Sequence, residues 1–173
     1  MSGGLVSHEH QCLGGQELWA SGRLTSMESI RQYVLAMKDF QDAPDAVQFC
    51  ERFLKVAQEF KTVKWGLSRE LAGIYDCEGH LCFENCQRIV NRIPDLRYFE
   101  GYVSLGDFVA EHAWLVDETG EVTDPTLVLH EKLKERVGGY MGLEISMDYI
   151  NGLFLKEPRC YTRIEQAFAD DQW

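Results

Sequence analysis

The spacing of apolar residues changes near the middle of this sequence, from a helical period before Pro94 to a strand-like alternation after it. Before Pro94 the apolar residues recur every three or four positions, as they do on one face of a helix. After it come short runs rich in Tyr, Phe and Val, bounded by turn residues. Helices followed by strands are typical of an α+β fold, so we expect N-terminal helices packed on an antiparallel sheet.

Four helices are predicted before the change of period. The first begins at Thr25–Glu28, which has the spacing of a capping box. The second begins at Pro44, and its apolar stripe continues to Phe60. A short helix is predicted over Leu67–Tyr75, and the fourth is opened by Cys82 and ends near Asn91.

The remaining elements follow from alternation and turn residues. Strands are predicted at Leu96–Leu105, His112–Val116, Glu121–Thr126 and Tyr140–Ile145. Gly106–Ala110 is expected to form a loop beside the cleft, and Leu127–Val137 a helical or irregular segment closed by Gly138-Gly139. Two late helices are predicted at Met147–Phe154 and Tyr161–Phe168.

The length of 173 residues favours one domain, which we place at residues 25–173. Residues 1–24 carry two glycine pairs and little periodicity, so we expect a loosely ordered arm. His8, His10 and Cys12 lie on this arm. Because ligands on a flexible, glycine-flanked segment rarely form a metal site, we assign none there.

The charge balance excludes one class of partner. The chain has 17 Lys and Arg against 28 Asp and Glu, a formal charge of −11, which is unsuited to nucleic-acid phosphates. No apolar run approaches the roughly 18 residues of a membrane span. Met1–Glu17 lacks the basic start and apolar core of a secretory signal. We therefore expect a cytoplasmic protein with reduced cysteines, no nucleic-acid partner and no membrane association.

One of the six cysteines has a position suited to chemistry. Cys82 follows a predicted loop at Asp76–His80 and lies in the first turn of a helix, where the helix dipole favours the thiolate. Cys50 and Cys86 belong to apolar helix stripes and are expected in the core. Cys77 falls in the loop. Position therefore favours Cys82 as a nucleophile.

A predicted hairpin brings a histidine and a carboxylate together. His112 alternates with Trp114 and Val116, so the three share one face of their strand. A turn at Asp117–Gly120 returns the chain, and in either of two registers Asp124 lies opposite or diagonal to His112 on that face. A slip of one residue would place Asp124 on the other face.

Several short segments between Cys82 and Thr126 form an ordered set. A helix opened by Cys82 is followed by Glu100–Val103 with its Gly-Tyr pair, Glu111–Asp117 with His-Ala-Trp, and Val122–Thr126 with Asp-Pro-Thr. This set resembles the core of the transglutaminase-like superfamily, a group of papain-like cysteine enzymes. The Cys-x-x-Asn sequence at Cys82–Asn85 is similar to small bacterial and phage proteins of this kind.

The resemblance implies a papain-like core with a Cys82-His112-Asp124 triad that acts on amide bonds. Cys82 would attack as the thiolate, His112 would move protons, and Asp124 would orient the imidazole. The Cys82 backbone N–H is the natural first oxyanion donor, and the second is left open between Trp65 and an amide of the preceding loop.

Peptide hydrolysis, glutamine deamidation and acyl transfer all proceed through an acyl-enzyme, and the sequence does not separate them. A protein, a peptide or a small amide is the expected substrate, with no cofactor and no metal. The absence of an Asp-x-Asp-x-Asp-Gly loop disfavours a calcium-dependent cross-linker.

Two alternatives remain open at the level of sequence. Cys77, His80, Cys82 and Cys86 fall within ten residues and offer a donor set for a small structural zinc site. A non-catalytic acidic binding or inhibitor protein on the same fold is the other alternative. Tyr102 and Trp114 are expected in the core, and Phe108 is a candidate for lining a cleft.

Overall fold

The computed structural model describes residues 26–40 and 44–156, together with Ile164, Ala167 and Asp170. Within them the chain forms six α-helices and a five-stranded antiparallel sheet, which confirms the α+β expectation. The predicted arm at 1–24 lies outside the described residues. So does most of the predicted last helix, of which Ile164 and Ala167 are helical and buried.

Apart from a strand at Gln58–Phe60, which falls within the predicted stripe of the second helix, most elements lie close to their predicted positions. The helices are α1 (Ser26–Phe40), α2 (Pro44–Val56), α3 (Trp65–Ile74), α4 (Cys82–Val90), α5 (Glu131–Lys134) and α6 (Met147–Lys156). The strands are β1 (Gln58–Phe60), β2 (Arg97–Leu105), β3 (Phe108–Val116), β4 (Val122–Thr123) and β5 (Val137–Glu144). The strand order is β1-β5-β2-β3-β4. None of the helices in the described ranges is long and apolar enough to cross a membrane.

The sheet curls so far that the segment 58–64 provides the strand at one edge and also contacts the strand at the opposite edge. At one edge β1 pairs with β5. At the other edge Val63, only three residues after β1, forms a bridge with Val122 of β4. Lys64 N–H also donates to the Val122 carbonyl at 2.8 Å. The segment 58–64 therefore closes the sheet around its concave face.

Large aromatic side chains fill this concave face. Phe60, Phe99, Trp114 and Tyr140 form an aromatic cluster in which Phe99 stacks on Trp114 with ring centroids 6.1 Å apart. Trp114 also contacts Tyr140 at 5.1 Å. His112 shares this face because it lies two residues before Trp114 on β3. The alternation that predicts a shared face for these residues is thus observed.

The convex face is covered by helices. Helices α1 and α2 pack on Tyr102, Met141 and Leu143. Helix α4 packs on Ala113 and Leu115, in a second cluster that includes residues of α6. Tyr102 and Trp114 are both fully buried, so their expected place in the core is confirmed.

Two boundaries in the second half of the chain were predicted wrongly. Gly138 and Gly139 do not close a helical segment but belong to β5, where α1 crosses so closely that a Cβ would overlap Ser26 or Met27. The residues Gly106–Ala110 do not form a loop. Strand β3 begins at Phe108, and Gly106, at φ +71°, lies in the two-residue turn between β2 and β3.

Two further elements are shorter than predicted. Helix α2 ends at Val56, and Phe60 lies in β1, where it pairs with Tyr140 and joins the aromatic cluster. Strand β4 ends at Thr123 rather than Thr126. The chain turns there because the Asp124 side chain accepts the N–H groups of Thr126 and Leu127.

Candidate active site

Cys82 lies at the first residue of α4, as predicted, and its side chain is partly exposed. The residue before the helix, Leu81, provides no side-chain cap. The first-turn N–H groups of such a helix carry the positive end of its dipole. The structure therefore places the thiol where the backbone favours a negative charge.

The loop before Cys82 is fastened by Asn85, one turn further along α4. Asn85 is fully buried, donates to the Glu78 carbonyl at 2.7 Å and accepts from the Glu78 N–H at 3.3 Å. Its amide also donates to Thr126 Oγ1 at 2.9 Å. Because Thr126 N–H in turn donates to Asp124, Asn85 ties α4 to the turn that follows Asp124.

The β3–β4 hairpin brings His112 and Asp124 together. Val116 lies opposite Val122 and Leu115 opposite Thr123, which is the register that puts Asp124 diagonal to His112 on the same face. His112 Nε2 lies 2.7 Å from Asp124 Oδ2. In the connecting turn, Asp117 accepts the N–H of Thr119 at 2.9 Å and that of Glu121 at 3.2 Å, which fixes this register.

Asp124 is fully buried and both of its oxygens are hydrogen-bonded. Oδ1 accepts the N–H groups of Thr126 at 3.0 Å and Leu127 at 2.8 Å. Oδ2 accepts from His112 and from the Tyr140 hydroxyl at 2.9 Å. The Asp124 N–H donates to Ser68 Oγ on α3 at 2.9 Å. Four donors to one carboxylate compensate for its burial.

The two cysteines of α4 meet β3 at its open edge. Strand β4 pairs only with Leu115 and Val116, so Ala113 has no strand partner on that side. Its carbonyl accepts the Cys86 thiol at a sulfur–oxygen distance of 3.4 Å, and its N–H bonds to the Cys82 sulfur. The two thiols, which lie one helical turn apart on α4, thus hydrogen-bond the Ala113 backbone groups that a neighbouring strand would otherwise bond.

A hydrogen bond joins Cys82 to His112 as well. Since Nε2 of the ring faces Asp124, Nδ1 is the nitrogen that remains for the thiol. The three residues that the sequence predicts as a triad therefore lie in one connected row, with sulfur, imidazole and carboxylate in the expected order.

The pKa shifts favour a thiolate beside an imidazolium. Burial would lower the pKa of His112, but the charge of Asp124 and the hydrogen bonds to Asp124 and Cys82 raise it to about 10. Burial would raise the pKa of the Cys82 thiol, yet His112 and the Ala113 N–H hold it below its usual value. The proton that joins this pair therefore belongs on the ring.

The neighbouring cysteines behave in the opposite way. Burial, with the nearby charge of Asp124, raises the pKa of Cys86 well above its usual value. Burial also raises the pKa of Cys77, although Arg88 opposes the shift. Of these three thiols, the one that sequence position singles out is the one whose thiolate is stabilised.

The alternative donor set for zinc does not come together. Cys86 is fully buried against β3, whereas the His80 side chain is 77% exposed. In the described part of the chain, no group of three or more His, Cys, Asp or Glu side chains is arranged to hold a metal ion.

Two contributors to the site escape sequence reasoning. Tyr140 comes from β5, on the far side of β2, and no local pattern links it to Asp124. Ser68 lies on the inner face of α3 and looks like an ordinary helical serine. Asn85 was visible in the sequence as part of Cys-x-x-Asn, although its role as a fastener was not.

The aromatic candidates divide between core and surface. Trp65, a candidate oxyanion donor, begins α3 and packs partly buried against the aromatic cluster. Phe108 lies at the start of β3 under the Arg136 guanidinium, 5.6 Å from the ring centroid, and is 42% exposed.

Searches with the chain find no match to a protein-family model, to a curated protein or to a solved structure.

Proposed function

We propose that the protein is a cysteine-dependent amide-bond enzyme of the transglutaminase-like kind, with Cys82, His112 and Asp124 as its triad. One observation carries the proposal. The buried imidazole of His112 is held by Asp124, whose Oδ2 lies 2.7 Å from Nε2. The ring is also hydrogen-bonded to the thiol of Cys82 at the start of α4. Nucleophile, base and orienting group are thus connected by hydrogen bonds.

The reaction follows from these roles. The Cys82 thiolate attacks the amide carbonyl carbon, and the carbonyl electrons move onto oxygen, where the Cys82 backbone N–H stabilises the charge. His112 then gives its proton to the departing nitrogen as the C–N bond breaks, which leaves a thioester. Water or an amine, deprotonated by His112, attacks the thioester and releases the thiolate.

Asp124 would not accept a proton in this cycle. Burial opposes its charge, but the His112 cation and the backbone N–H of Leu127 lower its pKa. It therefore remains an anion that orients the ring and stabilises the imidazolium. A protein, peptide or small amide is the proposed substrate class, and no cofactor is needed for the steps above.

Thiol labelling provides the first test. We expect iodoacetamide at mildly acidic pH to alkylate Cys82 faster than Cys77, because the Cys82 thiolate is stabilised. His112→Ala should slow the labelling of Cys82 and leave that of Cys77 unchanged. Peptide mass spectrometry measures both sites in one sample. Equal labelling of the two thiols in the wild type would contradict the proposal and favour a non-catalytic binding protein.

A comparison in cell lysate identifies the reaction. Proteins incubated with the wild type and with Cys82→Ala are compared by mass spectrometry. Glutamine converted to glutamate indicates deamidation, new termini indicate proteolysis, and an added amine indicates transfer. A lysate that the two proteins leave identical, even though Cys82 labels selectively, would contradict amide chemistry on proteins and direct the search to small amides.

A further inference from the structure

Tyr140 contacts the proposed site without belonging to the triad. Its hydroxyl donates to Asp124 Oδ2 at 2.9 Å, the same oxygen that lies 2.7 Å from His112 Nε2. The tyrosine is fully buried. Two donors therefore converge on one carboxylate oxygen, and only one of them is the catalytic histidine.

The two oxygens of Asp124 are held in different ways. Oδ1 is fixed by the backbone N–H groups of Thr126 and Leu127, which belong to the turn that follows Asp124 itself. Oδ2, which faces the ring, is held by the Tyr140 side chain from another part of the fold. Among the described residues, Asp124 Oδ2 accepts hydrogen bonds from His112 and Tyr140. Because the orientation of the His112 ring depends on the position of Oδ2, Tyr140 fixes that orientation indirectly.

The hydroxyl also acts on the proton between Asp124 and His112. A buried carboxylate and imidazolium can neutralise each other if the proton moves from Nε2 to Oδ2. A donor to Oδ2 stabilises the anion and so makes this transfer less favourable. The titratable groups whose pKa shifts involve Asp124 include Cys82 and Cys86 on α4, His112 on β3 and Tyr140 on β5.

The position of Tyr140 is set by the sheet rather than by a loop. On β5 it lies opposite Phe60 on one side and Val103 on the other. Its ring contacts Trp114 at 5.1 Å and lies 6.3 Å from the ring of His112. A hydroxyl held on a central strand has little freedom to follow Asp124 if the carboxylate turns.

We propose that Tyr140 is a positioning residue, whose hydroxyl keeps Asp124 ionised with Oδ2 turned to His112 Nε2, so that Nδ1 faces Cys82 and the ring keeps its proton. This inference rests on the proposed function, since it assumes that Cys82 and His112 form the reactive pair. The proposed role of Tyr140 is to hold Asp124 from behind the triad by a hydrogen bond. Tyr140 is not proposed to touch the substrate.

The test uses the pH dependence of Cys82 alkylation by iodoacetamide in Tyr140→Phe. A hydrogen bond to a charged group contributes about 1.5 kcal/mol, which corresponds to roughly one pH unit. We therefore expect the midpoint for thiolate formation to rise by about one unit and the alkylation rate below the midpoint to fall about tenfold. The rate at high pH, where the thiol is fully ionised, should not change.

Tyr102→Phe is the matched control. Tyr102 is equally buried, but it lies on the opposite face of the sheet, and its hydroxyl lies 3.5 Å from Met37 Sδ rather than near Asp124. It should leave the midpoint at the wild-type value. An unchanged midpoint in Tyr140→Phe, or an equal shift in Tyr102→Phe, would overturn the positioning role.

A second variant keeps the test sharp if Tyr140→Phe folds poorly. Site-specific 3-fluorotyrosine at position 140 retains the hydroxyl but makes it more acidic and a stronger donor. Because the hydroxyl is retained and Asp124 stays ionised, the midpoint should remain near the wild-type value, in contrast to the phenylalanine variant, and a rise of about one unit would contradict the inference. Failure of the proposed function is distinguishable, because the wild type itself would then form the Cys82 thiolate only at the usual pH of a free thiol.

Discussion

At the scale of single residues, the site depends on where one proton resides. His112 lies between a partly exposed thiol and a buried carboxylate, and its raised pKa reflects the charge of Asp124 more than that of Cys82. The lowered pKa of Cys82 depends in turn on the charged ring. The electrostatic effect therefore passes from Asp124 through His112 to Cys82.

Asp124→Asn tests this order directly. The amide is isosteric but uncharged, so the pKa of His112 should fall, the pKa of Cys82 should return toward 9.0, and Cys82 alkylation at acidic pH should slow. Once a substrate is known, kcat should drop on the order of 10⁴-fold, the loss that the equivalent change produces in a serine protease. A His112 pKa that NMR titration finds unchanged in the variant would contradict the assigned role of Asp124.

The turnover of the wild type should depend on pH with two limbs. The thiolate–imidazolium pair exists above the lowered pKa of Cys82 and below the raised pKa of His112. Activity should therefore rise with pH at values below the usual thiol range and fall as His112 loses its proton near pH 10. A single limb centred on the ordinary histidine value would contradict the ion pair.

At the scale of elements, the Asn85 side chain joins α4 to the turn that follows β4. Asn85 bonds the N–H and carbonyl of Glu78 in the loop before Cys82, and it donates to Thr126 beside Asp124. The relative position of Cys82 and Asp124 is therefore set between elements rather than within one.

Asn85→Ala should weaken this connection. The change leaves the Glu78 N–H without its partner and removes one of the two donors to the Glu78 carbonyl, so the unfolding free energy should fall by about 1–3 kcal/mol. Alkylation of Cys82 at neutral pH should slow as the preceding loop loses its position. Urea denaturation measures the first effect, and peptide mass spectrometry measures the second.

Asn91→Ala is the control for that experiment. Asn91 ends the same helix at its other terminus and is exposed, so its replacement should change the unfolding free energy by no more than about 0.5 kcal/mol. If the two variants lose the same stability, the special role of Asn85 is wrong.

At the scale of the whole molecule, the ion pair affects how stability depends on pH. Between pH 6.5 and 9.0, the ordinary pKa values, unfolded Cys82 carries a proton and unfolded His112 does not. In the folded protein, at pH values above the lowered pKa of Cys82, the distribution is reversed, because the thiol has lost its proton and His112 keeps one. Both states then bind one proton in total, so this pair makes no net contribution to the slope of stability against pH.

Cys82→Ser should reveal how His112 alone makes the unfolding free energy depend on pH. Asp124 still holds the pKa of His112 above its unfolded value, so the folded state alone is protonated as pH rises past 6.5. The unfolding free energy should then decrease with pH by up to about 1.4 kcal/mol per unit until His112 deprotonates. Urea denaturation at several pH values inside this window measures the slope. A wild type as steep as the variant would mean that no ion pair forms.

Much of this molecule was predictable because its signals are local. The start of α4 at Cys82, the alternation of His112 and Trp114, and the turn at Asp117 each depend on residues within about one helical turn or one hairpin. Such short-range preferences survive in the tertiary structure whenever packing supports them. The errors fell where packing overrode the pattern, as at Phe60, which left a helical stripe for the aromatic cluster.

The sequence by itself thus determined the helix that presents Cys82 and the hairpin that joins His112 to Asp124. The tertiary structure alone placed α4 at the open edge of β3, closed the sheet through Val63, and brought Tyr140 to Asp124. These contacts join residues far apart in the chain, and they exist only because β5 pairs with β2 inside a sheet that curls. No local preference encodes that pairing, since the burial of the aromatic side chains between distant strands is what stabilises it.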